Sequence, residues 1–221
     1  MNKLLDRLSY KYGRYGIPNL MLYIVIAMAG VFVVELFVPE VPLSGYMYFD
    51  RSLILAGQWW RVLTWALIPD TTSIVWIIFS LYFYYLIGSG LESQWGKFKF
   101  NVYYFMGVIL TIIGGFITGY TSNTYLYYAM FFAFAVMFPD FQVLLFFFIP
   151  IKIKWLAIVD AVFFIIMLIL NIVWGSWWEV AAIIISILNF ILFFFGDFRT
   201  FIKNQIYYAK HRKNYKNNRY Q

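Results

Sequence analysis

The chain has 221 residues, of which 63% are hydrophobic, 24% aromatic and only 12% charged, with a formal net charge of +7. A soluble domain carries about 25% charged residues, so a water-soluble globule is excluded, and intrinsic disorder is excluded by the high apolar content. With no cysteine and a single histidine, His211, the chain has no disulfide, thiolate or iron–sulfur chemistry and no site that needs two imidazoles. There is no H-E-x-x-H pattern and no metal site is expected; no cofactor is implied.

A membrane-spanning helix needs roughly 20 apolar residues. In chain order the candidates are Leu20 to Val38 between Pro18 and Pro39, Ser73 to Ile87 ending at Gly88, and Phe100 to Thr118. They continue with a short fourth, Thr124 to Phe138 before Pro139, then Leu156 to Trp174 and Val180 to Phe195. The run Val143 to Ile149 is too short to span and is bracketed by Pro139 and Pro150, so it reads as an interfacial connection, or as the first turns of the next helix. The expected fold is all-α: a bundle of six transmembrane helices over residues 20–197. Residues 1–19 form a basic N-terminal segment and residues 198–221 a basic tail.

Charge placement supports that count. Six spans put Lys3, Arg7, Lys11, Arg14, Lys97, Lys99, Lys152, Lys154 and the seven basic residues of the tail on one side, fifteen of seventeen in all, leaving Arg51 and Arg61 opposite. By the positive-inside rule both termini are then cytoplasmic, in a multi-pass integral membrane protein. Trp59, Trp60, Trp65, Trp174, Trp177 and Trp178 fall near the outer ends and Trp95 and Trp155 near the inner ends, as in an aromatic belt. The first helix is long and lacks a small-residue cleavage site, so it reads as retained rather than as a signal peptide. The tail is read as a solvated, topology-setting segment, and orientation already accounts for its charge without nucleic acid as a partner. Between the first two spans, Pro39 to Thr72 is rich in Tyr and Trp, which suits an outer loop lying in the headgroup interface.

Three stretches carry a family resemblance. Gly57-Gln58-Trp59-Trp60-Arg61-Val62-Leu63-Thr64 looks like the first-loop signature of the rhomboid superfamily, and Leu91-Glu92 with Gly96 and Phe98 resembles that family's turn after helix two. Ala133 to Asp140, continuing through Leu144 to Leu156, is similar to the end of helix four and the connection that follows it in bacterial rhomboids. The resemblance spans about Pro39 to Phe195. It implies a compact core of six helices with a short fourth helix surrounded by the others. In active members a serine at the outer end of that helix, in a G-x-S-G motif, is served by a histidine on helix six, with a His and an Asn on helix two at the oxyanion site.

Set against that motif, the chemistry is missing. The G-x-S-G positions fall on Ser122-Asn123-Thr124-Tyr125, so Thr124 stands at a degenerate nucleophile position, and the oxyanion positions fall on Trp76 and Ser80. Val180 to Phe195 contains no histidine, lysine or carboxylate, offering Ser186 and Asn189 instead. A hydroxyl is a weak nucleophile without an adjacent base, and His211 lies in the tail on the other side of the membrane, about 30 Å away. The resemblance therefore implies an inactive relative, comparable to the Derlins, which lack the dyad, carry a Trp-Arg pair in the first loop and handle membrane clients. The bilayer and transmembrane client proteins are the expected partners. A client groove between helices two and five is placed at Phe79, Phe83, Phe163, Met167 and Asn171, and packed core or lipid contact is the plainer account of the same side chains.

Other residues carry narrower expectations. Trp60 and Arg61 fix the outer loop; Glu92 and Gly96 organise the inner turn. Glu35 snorkels to the outer interface or pairs with Arg61, with a proton or ligand site as its functional alternative. Asn171 and Asn189 bond across adjacent helices in the outer half, or line a remnant cavity with Thr124. Asp160 and Asp197 are read as interfacial carboxylates rather than an aspartyl pair. Gly115 and Gly119 serve internal packing rather than dimerisation. Two other functions stay open: a rhomboid-type protease with a non-standard site, and a small-solute transporter, for which neither a repeat nor a central charge is present. Lys, Asn, Ile, Tyr and Phe usage suggests a low-GC, bacterial coding sequence, and the expected location is the bacterial cytoplasmic membrane.

Overall fold

The computed structural model describes residues 3–145, 149–177, 179–181, 183–185 and 187–194. His211, Ser186, Trp178, Asp197 and the basic tail lie outside them. The described chain is mostly helical. Helix α1 (Lys3–Tyr12) is followed by α2 (Leu20–Phe37), and three short helices, α3 (Leu43–Met47), α4 (Arg51–Leu55) and α5 (Arg61–Thr64), shape the long loop. Then come α6 (Ile74–Trp95), α7 (Lys97–Thr118), α8 (Thr124–Met137) and α9 (Ile153–Val173), and a final apolar helix α10 (Glu179–Phe194). Four of these, α2, α6, α7 and α9, are long and apolar enough to cross a membrane, and α8 and α10 are shorter apolar helices. The chain is thus a mostly helical membrane-type protein.

Two small antiparallel pairings interrupt the helices. Strand β1 (Phe49–Asp50) pairs with β2 (Tyr120–Thr121), tying the long loop to the turn after α7. Strands β3 (Gln142–Leu145) and β4 (Ile149–Lys152) form a hairpin in the register Gln142↔Lys152 to Leu145↔Ile149. Of the two readings of this connection, the one that makes it the first turns of the next helix is corrected: Gln142–Leu145 and Ile149–Lys152 pair as strands, and α9 begins only at Ile153. Pro150 has no amide hydrogen, and β-branched Val143, Ile149 and Ile151 suit extended backbone. Asp140 at the hairpin's base bonds Lys152 and Lys154 at 2.9 and 3.2 Å.

The second span is longer than its sequence suggested. Gly88 does not end it; α6 runs on to Trp95 and stops at Gly96, whose φ of +77° favours glycine. Gly88 is instead a packing position. A methyl group at Gly88, Gly90, Gly107, Gly114 or Gly115 would come within 2.7 Å of, respectively, Met21, Phe134, Asn189 and Leu126, Ile185, or Phe49. Lipid offers little hydrophobic drive between helices, so close packing at small residues is what joins them. These glycines knit α2 to α6, α6 to α8, and α7 to α8, α10 and the loop. Gly115 thus packs internally.

Helix α8 occupies the centre. Eight of its fourteen residues are buried, among them Ala129, Met130, Ala133 and Phe134, and it packs against α6, α7 and α9. Leu126, its third residue, reaches Gly107, which is only halfway along α7. Its N-terminus is therefore recessed below the end of α7 by on the order of 10 Å, at 1.5 Å of rise per residue. At the opposite, basic end, Lys99 bonds Asp6 at 2.6 Å, holding α1 against α7 and the Asp6 carboxyl below its usual value. Nearby, Glu92 Oε1 accepts from the Asn19 backbone N–H at 2.8 Å.

Candidate functional site

The long loop is built around Arg61, which is 3% exposed. Its Nη1 donates to the carbonyls of Gly45 and Tyr48, both at 3.0 Å, its Nε donates to Gln58 Oε1 at 2.7 Å, and its guanidinium lies 4.6 Å from the Tyr48 ring centroid. The Trp60 indole donates to Tyr46 O at 3.0 Å. Asp50 caps α4 by accepting from the backbone of Ser52 and Leu53 and from the Ser52 hydroxyl, and these bonds hold its carboxyl below the usual range. Of the two readings of Glu35, the pair with Arg61 is not formed: Arg61 donates to loop carbonyls and to Gln58, and Glu35 accepts from the Ser44 N–H at the start of α3. Trp59 is exposed at the loop surface, while Trp65 and, at the basic end, Trp95 are core residues rather than belt residues.

Behind this loop, where the chain turns from α7 into the recessed α8, lies a cavity of about 360 Å³. Thr118 at the end of α7, Ser122 and Thr124 at the entry to α8, Tyr125 and Tyr128 on α8, and Phe163, Phe164, Met167 and Asn171 on α9 line it, together with Glu179 and Ile183 of α10. The Ser122 and Thr124 hydroxyls are 2.9 Å apart, and the Thr124 N–H donates to Ser122 Oγ at 3.3 Å. Asn123 between them is buried and anchors the turn through Nδ2 to Ile68 O at 2.7 Å. The Tyr125 hydroxyl donates to Glu179 Oε2 at 3.0 Å. Phe164 is buried edge-on against Tyr128, with centroids 4.9 Å apart, and against Tyr125 at 6.5 Å.

Of the residues singled out in the sequence, Thr124, Phe163, Met167 and Asn171 come together at this cavity. Trp76, Phe79, Ser80 and Phe83 do not line it. Trp76 is exposed and leans on Phe79 at 6.2 Å, and Phe83 packs on Phe131 of α8 at 5.8 Å. The single groove expected between α6 and α9 is thus divided, because α8 presents Phe131 to one helix and Tyr128 and Phe132 to the other.

The expected bond between Asn171 and Asn189 is likewise absent. Asn171 Nδ2 donates to Met167 O within its own helix at 2.9 Å. Asn189 sits at mid-depth against Gly107, 2% exposed, with both amide atoms unpaired. The two asparagines occupy different levels because α10 descends from Glu179 and is ten residues along at Asn189.

Glu179 lines this cavity without having stood out in the sequence. It falls one position before the apolar run from Val180 to Phe195, which itself contains no carboxylate. A lone acid abutting an apolar helix was the available signal. Chemically, the cavity offers hydroxyls, one amide and one carboxylate. The hydroxyl that the carboxylate holds is that of Tyr125, while Thr124 is bonded to Ser122. Activation of Thr124 as a nucleophile would need the base hydrogen-bonded to Thr124 itself. Among the described residues no imidazole lines the cavity, and no group of three His, Cys, Asp or Glu side chains gathers to hold a metal. No protein-family model, curated protein or solved structure matches this chain.

Proposed function

We propose that this protein is a rhomboid-like pseudoprotease, a multi-pass protein of a bacterial cytoplasmic membrane. It holds other membrane proteins by shape and helix contact without hydrolysing them. The carrying observation is the recessed, enclosed helix α8, whose N-terminal hydroxyl opens onto a cavity lined, among the described residues, by no imidazole. The "GxWWR"-like loop and the clustering of basic residues at one end support the same reading. In this reading six helices span, the basic end faces the cytoplasm and the loop from Pro39 to Thr72 lies in the outer interface. The client surface is the α9 side of the former groove, where Phe163 is 49% and Ile166 48% exposed. A photo-crosslinker at Phe163 in whole cells is expected to capture transmembrane segments of a small set of proteins. Adducts to lipid alone would overturn client binding.

A second reading is a protease with a non-standard site, favoured by one observation: Glu179 and Thr124 line the same cavity. Cleavage of a transmembrane reporter that is abolished by Thr124→Ala and by Glu179→Gln would establish it and overturn the inactive assignment. The pseudoprotease reading expects no cleavage by the wild-type chain.

A further inference from the structure

We infer that the cavity at the entry to α8 is a binding site for a primary ammonium group, such as the headgroup of an aminophospholipid or a free alkylamine. The inference stands on the cavity itself and does not depend on the pseudoprotease reading.

Among the described residues the lining carries one formal charge, the Glu179 carboxylate, and no lysine, arginine or histidine. An anionic ligand is therefore repelled, and a cation gains an ion pair in a partly desolvated place where charges are weakly screened. Tyr125 occupies one of the roughly four acceptor positions of that carboxylate, leaving others for an incoming N–H. The Asn171 amide has its nitrogen turned to Met167 O, so its oxygen is left as an acceptor. The Ser122 and Thr124 hydroxyl oxygens add two more. A primary ammonium brings three N–H donors to such acceptors, and each charge-assisted bond is about twice as strong as a neutral one. A quaternary ammonium brings none and would leave the acceptors unmatched. Aromatic rings complete the site: Phe164 of α9 stands edge-on to Tyr125 and to Tyr128 of α8, and a ring face attracts a cation. The volume, about 360 Å³, falls at the small-ligand end of binding cavities, which begin near 300 Å³.

Position gives the two sources. The lining comes from Thr118 at the end of α7, the first residues of α8 and α10, and the half of α9 from Phe163 to Asn171, so the cavity runs from the end of the bundle away from the basic cluster toward its middle. A headgroup can enter from that end, and water-borne amines reach it too.

The test uses the full-length protein in nanodiscs made with equal phosphatidylethanolamine and phosphatidylcholine, extracted gently and examined by native mass spectrometry. Wild type is expected to retain phosphatidylethanolamine over phosphatidylcholine by roughly tenfold, the effect of one charge-assisted bond. Glu179→Gln is expected to lose that preference. Met167→Trp, which fills the cavity and keeps the carboxylate, is expected to lose it as well, so a folding defect peculiar to the Glu179 variant cannot mimic the result. In phosphatidylglycerol nanodiscs, ethanolamine but not choline is expected to shift the tyrosine fluorescence of wild type. Lipid retention without an ethanolamine shift assigns the lipid headgroup, and an ethanolamine shift without lipid retention assigns the free amine. Equal retention of the two lipids with no ethanolamine response, or an undiminished preference in both variants, overturns the proposal.

Discussion

Helices α8 and α9 are consecutive, apolar and rich in the same residue types, yet they live in different surroundings. Eight of fourteen residues of α8 are buried, against only Ile153 and Phe164 of the twenty-one in α9. The difference lies in what each helix offers its neighbours. Helix α8 presents small Ala129 and Ala133 among large aromatics, and neighbouring glycines make room for it: Gly90 receives Phe134 and Gly107 receives Leu126. The outward side of α9 is β-branched, with Val159, Val162, Ile165 and Ile169 exposed. Apolar character makes both compatible with a bilayer; small residues and matched cavities decide which one other helices surround.

Substitutions can break this contrast. The largest effect is expected at Ala133, which is fully buried on α8: Ala133→Leu forces extra volume into packed surroundings and should lower stability by about 3 kcal/mol, read from thermal unfolding in mild detergent. Gly107→Ala, whose methyl would meet Leu126 and the Asn189 amide, is expected to cost about 2 kcal/mol in the same assay. Asn189→Leu should do the reverse, since it replaces an unpaired buried amide with an apolar side chain of similar size; a gain of about 1 kcal/mol is expected. A loss there would mean that the amide has a partner in the membrane. Ile165→Ala on the exposed side of α9 should stay within about 0.5 kcal/mol, because that side chain exchanges packing with lipid for packing with lipid.

The last expectation concerns pH at the basic end. Lys99 holds the Asp6 carboxyl below its ordinary value of 3.8. The attachment of α1 is then complete above that value and is lost as the pH falls through the lower one kept in the fold. Protease access to α1 should rise only under strong acid, and Lys99→Met should abolish that acid dependence.

Much of the helical layout was legible from residues alone. Prolines at 18, 39 and 139 bounded apolar runs, and five of the helix starts, at 20, 74, 97, 124 and 153, fall within three residues of where the runs began. The errors share a cause. Gly88 was taken as a stop because glycine often ends helices, but here it admits Met21, and only the partner helix reveals that role. The hairpin of β3 and β4 was missed because a short apolar run between prolines has the same pattern as an interfacial turn. The residues expected in a remnant cavity (Thr124, Asn171) and in a client groove (Phe163, Met167, Asn171) meet at one cavity, whereas Asn189, Phe79 and Phe83 lie elsewhere, because the intervening width of α8 is invisible in a sequence.

Hydropathy, proline placement and the one-sided run of basic residues suffice to establish apolar helices of membrane length and a basic end, since these follow from transfer energies and backbone chemistry residue by residue. Which helix is enclosed, and that Glu179 joins Ser122, Thr124 and Asn171 around one cavity, was decided only by the packing of glycines against side chains distant in sequence. Transfer energy is a property of a residue, and enclosure is a property of its neighbours.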